Sequence, residues 1–276
     1  MGNPFENNGW GNNRNNGWGN NRNNGWGNNR NNRPRRNFRN IFNFHNPYMI
    51  MILLLLVMRV MRGGFSNFTD WLVTHLLMLP AIVVGLSFHE FGHAFVSDRL
   101  GDPLPRDMGR VTLNPLAHID PVGFLALIFA GFGWGVPVQI DPRYYKHRRR
   151  DELLVAGAGV FMNLLIVIAT VIILKLLVMF APGMFSHSVG SIITDMLQYM
   201  IMINIVLMLF NLLPVPPLDG FNILTQIFDL QKHSWWYPLY RNGSWILLMM
   251  ILFNVTSLIL SPLVSALSSV CFKIIF

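Results

Sequence analysis

An apolar run at residues 71–96 carries His-Glu-Phe-Gly-His near its end, at residues 89–93. A run of that length can cross a bilayer as a helix, because about 20 apolar residues rising about 1.5 Å each span the hydrocarbon core. On a helix, residues four apart share a face, so His89 and His93 aim two imidazoles at one point. Glu90 lies beside them. The pattern is H-E-x-x-H, in which both His hold one zinc ion and the Glu acts on a bound water. A pair of core histidines satisfying each other is the plain alternative. Burying two imidazoles and a carboxylate at membrane depth is costly, which favours a functional site. The chain has 8 His and three Glu (Glu6, Glu90 and Glu152), so chance is a weak explanation.

The rest of the chain agrees with a membrane setting. It is 52% hydrophobic and 12% charged, and long blocks carry almost no charge. That composition predicts an all-α polytopic membrane protein. The single cysteine, Cys271, excludes an intrachain disulfide framework. The polar N-terminus shows no cleavable signal peptide. Residues 1–46 hold three copies of Gly-Trp-Gly-Asn-Asn-Arg-Asn-Asn, starting at Gly9, Gly17 and Gly25, then a basic stretch with Arg33, Arg35, Arg36 and Arg39. Such a repeat cannot bury a core and is expected to be disordered. It is either a solvated spacer or a tail whose Trp10, Trp18 and Trp26 stack while Arg neutralises phosphate, with anionic lipid as the expected contact. The net charge of +8 fits membrane orientation better than a nucleic-acid footprint, so no nucleic-acid partner is expected. Two domains follow: the tail, 1–46, and a transmembrane domain, 47–276.

Apolar blocks at 48–61, 71–96, 153–180, 192–213 and 245–276 predict about five to six transmembrane helices. Pro262 lies inside the last block, which is either one kinked helix or two short ones. Residues 121–140 are apolar but broken by Gly131, Gly133, Gly135 and Pro137, so they read as a re-entrant or β-like irregular element near the active site. Lys and Arg set the orientation. The tail has seven Arg and one acid, residues 143–150 hold Arg143, Lys146, Arg148, Arg149 and Arg150, and residues 181–191 have neither Lys nor Arg. The N-terminus, the 143–150 loop and the opening of the site are therefore expected on the cytoplasmic side, most naturally of the cell membrane.

A catalytic zinc takes three protein ligands and one open position. Glu152 sits in a basic loop end and is a poor third ligand. Asp219 is the best candidate. It follows Pro214, Pro216 and Pro217, which forbid continued helix and turn a carboxylate inward, and Gly220 is expected to supply an unusual backbone angle. The alternative for Asp219 is a helix cap. Asp195 lies at the opposite end of its span.

Three stretches together resemble the site-2 protease family of intramembrane zinc metalloproteases. They are the His-Glu-Phe-Gly-His motif, the polar segment from Gly109 to Pro121, and Asn-Leu-Leu-Pro-Val-Pro-Pro-Leu-Asp-Gly ending at Gly220. The likeness covers roughly residues 70–230. It implies that His89, His93 and Asp219 hold one Zn²⁺ per chain and that Glu90 is the general base. The family also carries Gly-x-x-x-Asn between the two motifs, matched by the ends of Gly159-Val-Phe-Met-Asn163, with Val160 where many members have Pro. Asn163 either stabilises a developing oxyanion, as a catalytic residue, or makes an interhelical amide contact, with Gly157 and Gly159 permitting close packing. His118 and Asp120 read as loop-stabilising groups. No segment is long and polar enough for a PDZ or CBS domain, so the chain resembles the compact form.

The expected activity is hydrolysis of a peptide bond in or near a transmembrane segment of a membrane-protein substrate, as in regulated intramembrane proteolysis. Residues 104–113 or 132–141 are expected to offer an extended edge to that substrate. The alternative is a membrane zinc transporter without proteolysis, which would give Glu90 no distinct role.

Overall fold

The computed structural model describes residues 68–130 and 135–276. The repeat tail, the apolar block at 48–61 and the glycines at 131 and 133 lie outside the described residues. What is described is almost wholly helical. Nine helices run in order: α1 Phe68–Arg99, α2 Leu104–Asp107, α3 Pro115–His118, α4 Pro121–Ala130, α5 Arg148–Phe180, α6 Ser188–Asn211, α7 Asp219–Phe228, α8 Trp236–Leu252 and α9 Val255–Ile275. Four of them (α1, α5, α6 and α9) are long and apolar enough to cross a membrane. This is an all-α polytopic membrane protein.

The long helices are apolar around most of their circumference. Such helices can face lipid on one side and pack on one another with the rest. Helices α1, α5 and α6 pack against one another, and α7 lies against α5. Val167, Val171 and Leu174 of α5 bury with Ile201 and Ile205 of α6 and Ile275 of α9. A second cluster joins Leu213 and Leu218, on either side of the proline turn, to Leu247 and Leu260. The opposite side of α5 leaves Phe161, Ile168 and Ile172 about half exposed, as expected for side chains that meet lipid.

The last apolar block divides where its proline is not. Pro262 lies inside α9, and the break falls at Asn254, which has φ 61°. Asparagine tolerates the left-handed region because its short polar side chain bonds locally. Residues 104–113 do not form a strand, since α2 occupies their first part and turns the rest. Residues 121–130 are helical. After the undescribed 131–134, the chain runs through 135–141 without regular secondary structure, with one antiparallel bridge between Ile119 and Gly135.

Candidate metal centre

His89 and His93 sit on α1, one turn apart, and Asp219 is the first residue of α7. The proline turn ends α6 at Asn211 and restarts the chain as α7, which carries the carboxylate back beside α1. Gly220 serves this turn by close approach rather than by its backbone angle, since its φ is not positive. A Cβ there would lie 2.7 Å from the Leu213 carbonyl oxygen and would also strike the Leu212 carbonyl.

One ligand atom from each of His89, His93 and Asp219 lies within 4.8 Å of the others. The Nε2 atoms of the two imidazoles are 3.1 Å apart, and each is 3.2 or 3.3 Å from Asp219 Oδ2. The outer edges of both rings fix which nitrogen is protonated. His93 Nδ1 lies 2.7 Å from the Val155 carbonyl oxygen, which can only accept, so Nδ1–H donates. His89 Nδ1 lies 2.8 Å from Asn163 Oδ1. The Asn163 amide nitrogen donates to the Gly85 carbonyl at 3.2 Å and to Asn204 Oδ1 at 3.0 Å, so its oxygen is the acceptor and His89 Nδ1 also donates. In the neutral imidazole the other nitrogen then carries a bare lone pair.

Two lone pairs and a carboxylate oxygen therefore converge with no proton between them. Asp219 Oδ2 is buried and has no hydrogen-bond partner. Such a set is repulsive by itself and is stabilised by a cation at its centre. A tetrahedron with metal–ligand bonds of about 2.0 Å has edges of about 3.3 Å, which matches the observed spacings. Two imidazoles and one carboxylate, with space for a further ligand, suit a catalytic zinc site.

Glu90 is not among the three ligands. Its Oε2 accepts the Val138 N–H at 3.0 Å. Glu90, His89, His93 and Asp219 line one cleft of about 520 Å³, with Val138 of the irregular segment and Tyr240 of α8 on its walls. Carboxylate, metal ligands and open space thus share one cavity.

Asn163 is fully buried, on the far edge of the His89 ring from Nε2. Both its amide hydrogens are engaged, and it joins α1, α5 and α6 through Gly85, His89 and Asn204. Asn204 was not singled out from the sequence, although an Asn in the middle of an apolar span is a usable signal. Val138 contributes through its backbone and gave no side-chain signal. Outer partners of this kind orient metal-binding His and set its basicity. Replacing Asn163 with Leu is expected to lower metal affinity about 10- to 100-fold, measured by competition with a chromogenic chelator. His118 Nε2 donates to the Thr112 carbonyl at 2.7 Å and Asp120 accepts from the Gly123 N–H at 3.0 Å, so both brace their loop.

The sequence pattern of peptidase family M50 matches residues 175–253, which contain the proline turn and Asp219. The chain is similar to YwhC of Bacillus subtilis, named as a zinc metalloprotease, with 37% identity over 153 residues, 54% of this chain and 68% of the relative. It is also similar to the Rip2 proteins, named likewise, of Mycolicibacterium smegmatis (28% identity, 54% of this chain and 56% of the relative) and Mycobacterium tuberculosis (29%, with the same coverage). The matched region thus spans little more than half the length of these mycobacterial relatives. No solved structure is significantly similar. With a relative this similar matched over two thirds of its length, the chain belongs to peptidase family M50, the site-2-protease-like zinc metalloproteases.

Proposed function

We propose that this protein is an intramembrane zinc-dependent endopeptidase that cuts a peptide bond in or near a transmembrane segment of a membrane-protein substrate. The observation that carries the reading is the convergence of three acceptor atoms at 3.1–3.3 Å beside a separately held carboxylate. His89, His93 and Asp219 hold one zinc ion per chain. When bound, zinc lowers the pKa of a water toward about 7 and polarises a carbonyl.

The protein's own groups do the remaining work. Glu90 takes a proton from the attacking water and delivers it to the leaving amine nitrogen. The Val138 N–H holds one oxygen of Glu90, which leaves the other for the proton. Asn163 acts on His89 as a positioning residue, since its amide hydrogens are committed to Gly85 and Asn204.

Helix α8 joins the four long helices as a fifth span, and the described residues 135–140 form an irregular element beside the cleft. The tail and the 143–150 loop face the cytoplasm of the cell membrane, supported by five basic residues in that loop against none in 181–191. The arginine-rich tail contacts anionic headgroups.

The test uses the purified full chain in detergent micelles with fluorescein-labelled casein as the probe substrate. Cleavage is expected to stop after treatment with 1,10-phenanthroline and to return with added zinc. Undiminished cleavage by metal-stripped protein would reject the reading.

A further inference from the structure

The irregular segment at 135–141 is tied to the rest of the protein through three backbone N–H groups. Val136 donates to the His118 carbonyl at 2.6 Å, Val138 to Glu90 Oε2 at 3.0 Å, and Asp141 to Asp102 Oδ2 at 2.8 Å. The middle contact holds the carboxylate, and the outer two hold the strap. The Asp102 end is built with care. Asp102 and Ser97 are fully buried, and Tyr145 is nearly so.

We propose that Asp102, together with Ser97 and Tyr145, is the anchor that keeps this strap in register with Glu90, and so acts as a positioning group for the reaction. The proposal rests on the reading of Glu90 as the proton carrier. Asp102 lies three residues past the end of α1 at Arg99. Gly101, at φ 107°, reverses the chain, and the Asp102 N–H bonds back to the Ser97 carbonyl at 3.2 Å, a Schellman ending. The Asp102 carboxylate is then fixed on both oxygens. Oδ1 accepts the Leu104 N–H at 3.0 Å, and Oδ2 accepts the Ser97 hydroxyl at 2.8 Å as well as the Asp141 N–H.

The circuit closes through Tyr145. The Asp141 side chain caps a short turn, Pro142–Tyr144, by accepting the Arg143 N–H at 3.1 Å. That turn returns Tyr145 to Ser97, with 2.7 Å between the hydroxyls. Ser97 spends its proton on Asp102, so Tyr145 must donate to Ser97. Burial pushes the Tyr145 phenol up to about 12, and the nearby Asp102 charge adds to it, so the donor stays protonated. The circuit runs by hydrogen bonds from Ser97 to Asp102 and Asp141, then along the chain through the Pro142–Tyr144 turn to Tyr145, and back to Ser97 by a hydrogen bond. Its partners lie on α1, the turn after it, the strap and the residue after the Pro142–Tyr144 turn, and none belongs to the His89, His93 and Asp219 cluster.

Asp102→Asn replaces one acceptor oxygen by an N–H donor. Leu104 keeps its partner if the oxygen stays at Oδ1, while the Asp141 N–H then faces another donor. The neighbouring Asp98 supplies a control. Its carboxylate pairs with Arg106 at 2.6 Å, and no hydrogen bond joins it to the strap.

The experiment is backbone hydrogen–deuterium exchange on the full chain in micelles, paired with casein cleavage and zinc content. In Asp102→Asn, the amides of Val138 and Asp141 are expected to exchange at least about 10-fold faster, while those around His89 in α1 do not change. Zinc content is expected to stay at one per chain, and cleavage to fall about 10- to 100-fold, the scale of a misplacement near 1 Å. Asp98→Asn should leave all three unchanged. Tyr145→Phe, which removes a single hydroxyl, is expected to loosen the same amides to a smaller degree and carries the test if Asp102→Asn does not fold. Strap amides that exchange at the wild-type rate overturn the proposal, and so does a loosened strap with cleavage within twofold of wild type. Failure of the wild type to cut casein would instead count against the endopeptidase reading, with the exchange data still deciding whether the anchor exists.

Discussion

Replacing Glu90 with Gln is expected to lower casein cleavage by about 100- to 10,000-fold while the purified protein keeps one zinc per chain. The range is that of losing a positioned general acid–base group. The change is conservative in shape. A Gln side-chain oxygen can still accept the Val138 N–H, so the strap and side chain stay where they are. What disappears is the ability to take up a proton and release it to the amine. Metal content should not change, because Glu90 is not among the residues whose ligand atoms converge, His89, His93 and Asp219. Two outcomes are informative against the assignment. Cleavage above a tenth of wild type would show that the proton travels elsewhere, and loss of zinc would show that Glu90 is a ligand.

The metal cluster was legible because its chemistry is local. His89 and His93 are placed by one helical turn, and the pattern needs nothing from the rest of the chain. Asp219 required a longer inference, that three prolines break a span and return a carboxylate to the same depth. The structure brings Asp219 to the histidines, across 126 residues from His93. The role of Gly220 was misread because sequence shows a glycine's freedom more readily than its neighbours. Only the fold shows that two carbonyl groups occupy the space of its Cβ. The helix break in the last apolar block fell at Asn254 rather than Pro262 for a related reason. A proline can be accommodated within a long helix, whereas a left-handed residue ends it. The hold on Glu90 was invisible in advance, because it comes from the Val138 backbone N–H, which every non-proline residue has.

Gly159→Ala is expected to cost at least about 100-fold in zinc affinity, and cleavage with it, although a helical Gly→Ala change ordinarily stabilises by about 1 kcal/mol. Gly159 lies on α5 directly against the metal ligands. A Cβ there would stand 2.6 Å from Cε1 and 2.7 Å from Nε2 of His89, and would also strike His93 Nε2. Neither ring can turn away freely, because Nδ1 of each is held from behind, by Asn163 and by the Val155 carbonyl. Relief must come from moving α5 off α1 or from tearing the imidazoles from their outer partners. Both spread three ligand atoms whose spacing now fits one small cation. Gly157, two residues earlier on the same helix, has nothing within 4 Å of the equivalent position. Gly157→Ala should therefore leave metal affinity and cleavage within about twofold of wild type, separating steric exclusion from any general effect on α5. Chelator competition and thermal unfolding on both variants decide the matter. The expected signature is a folded Gly159→Ala protein that has lost its metal. Wild-type zinc affinity in that variant would mean that the rings do not meet the ion where their Nε2 atoms converge.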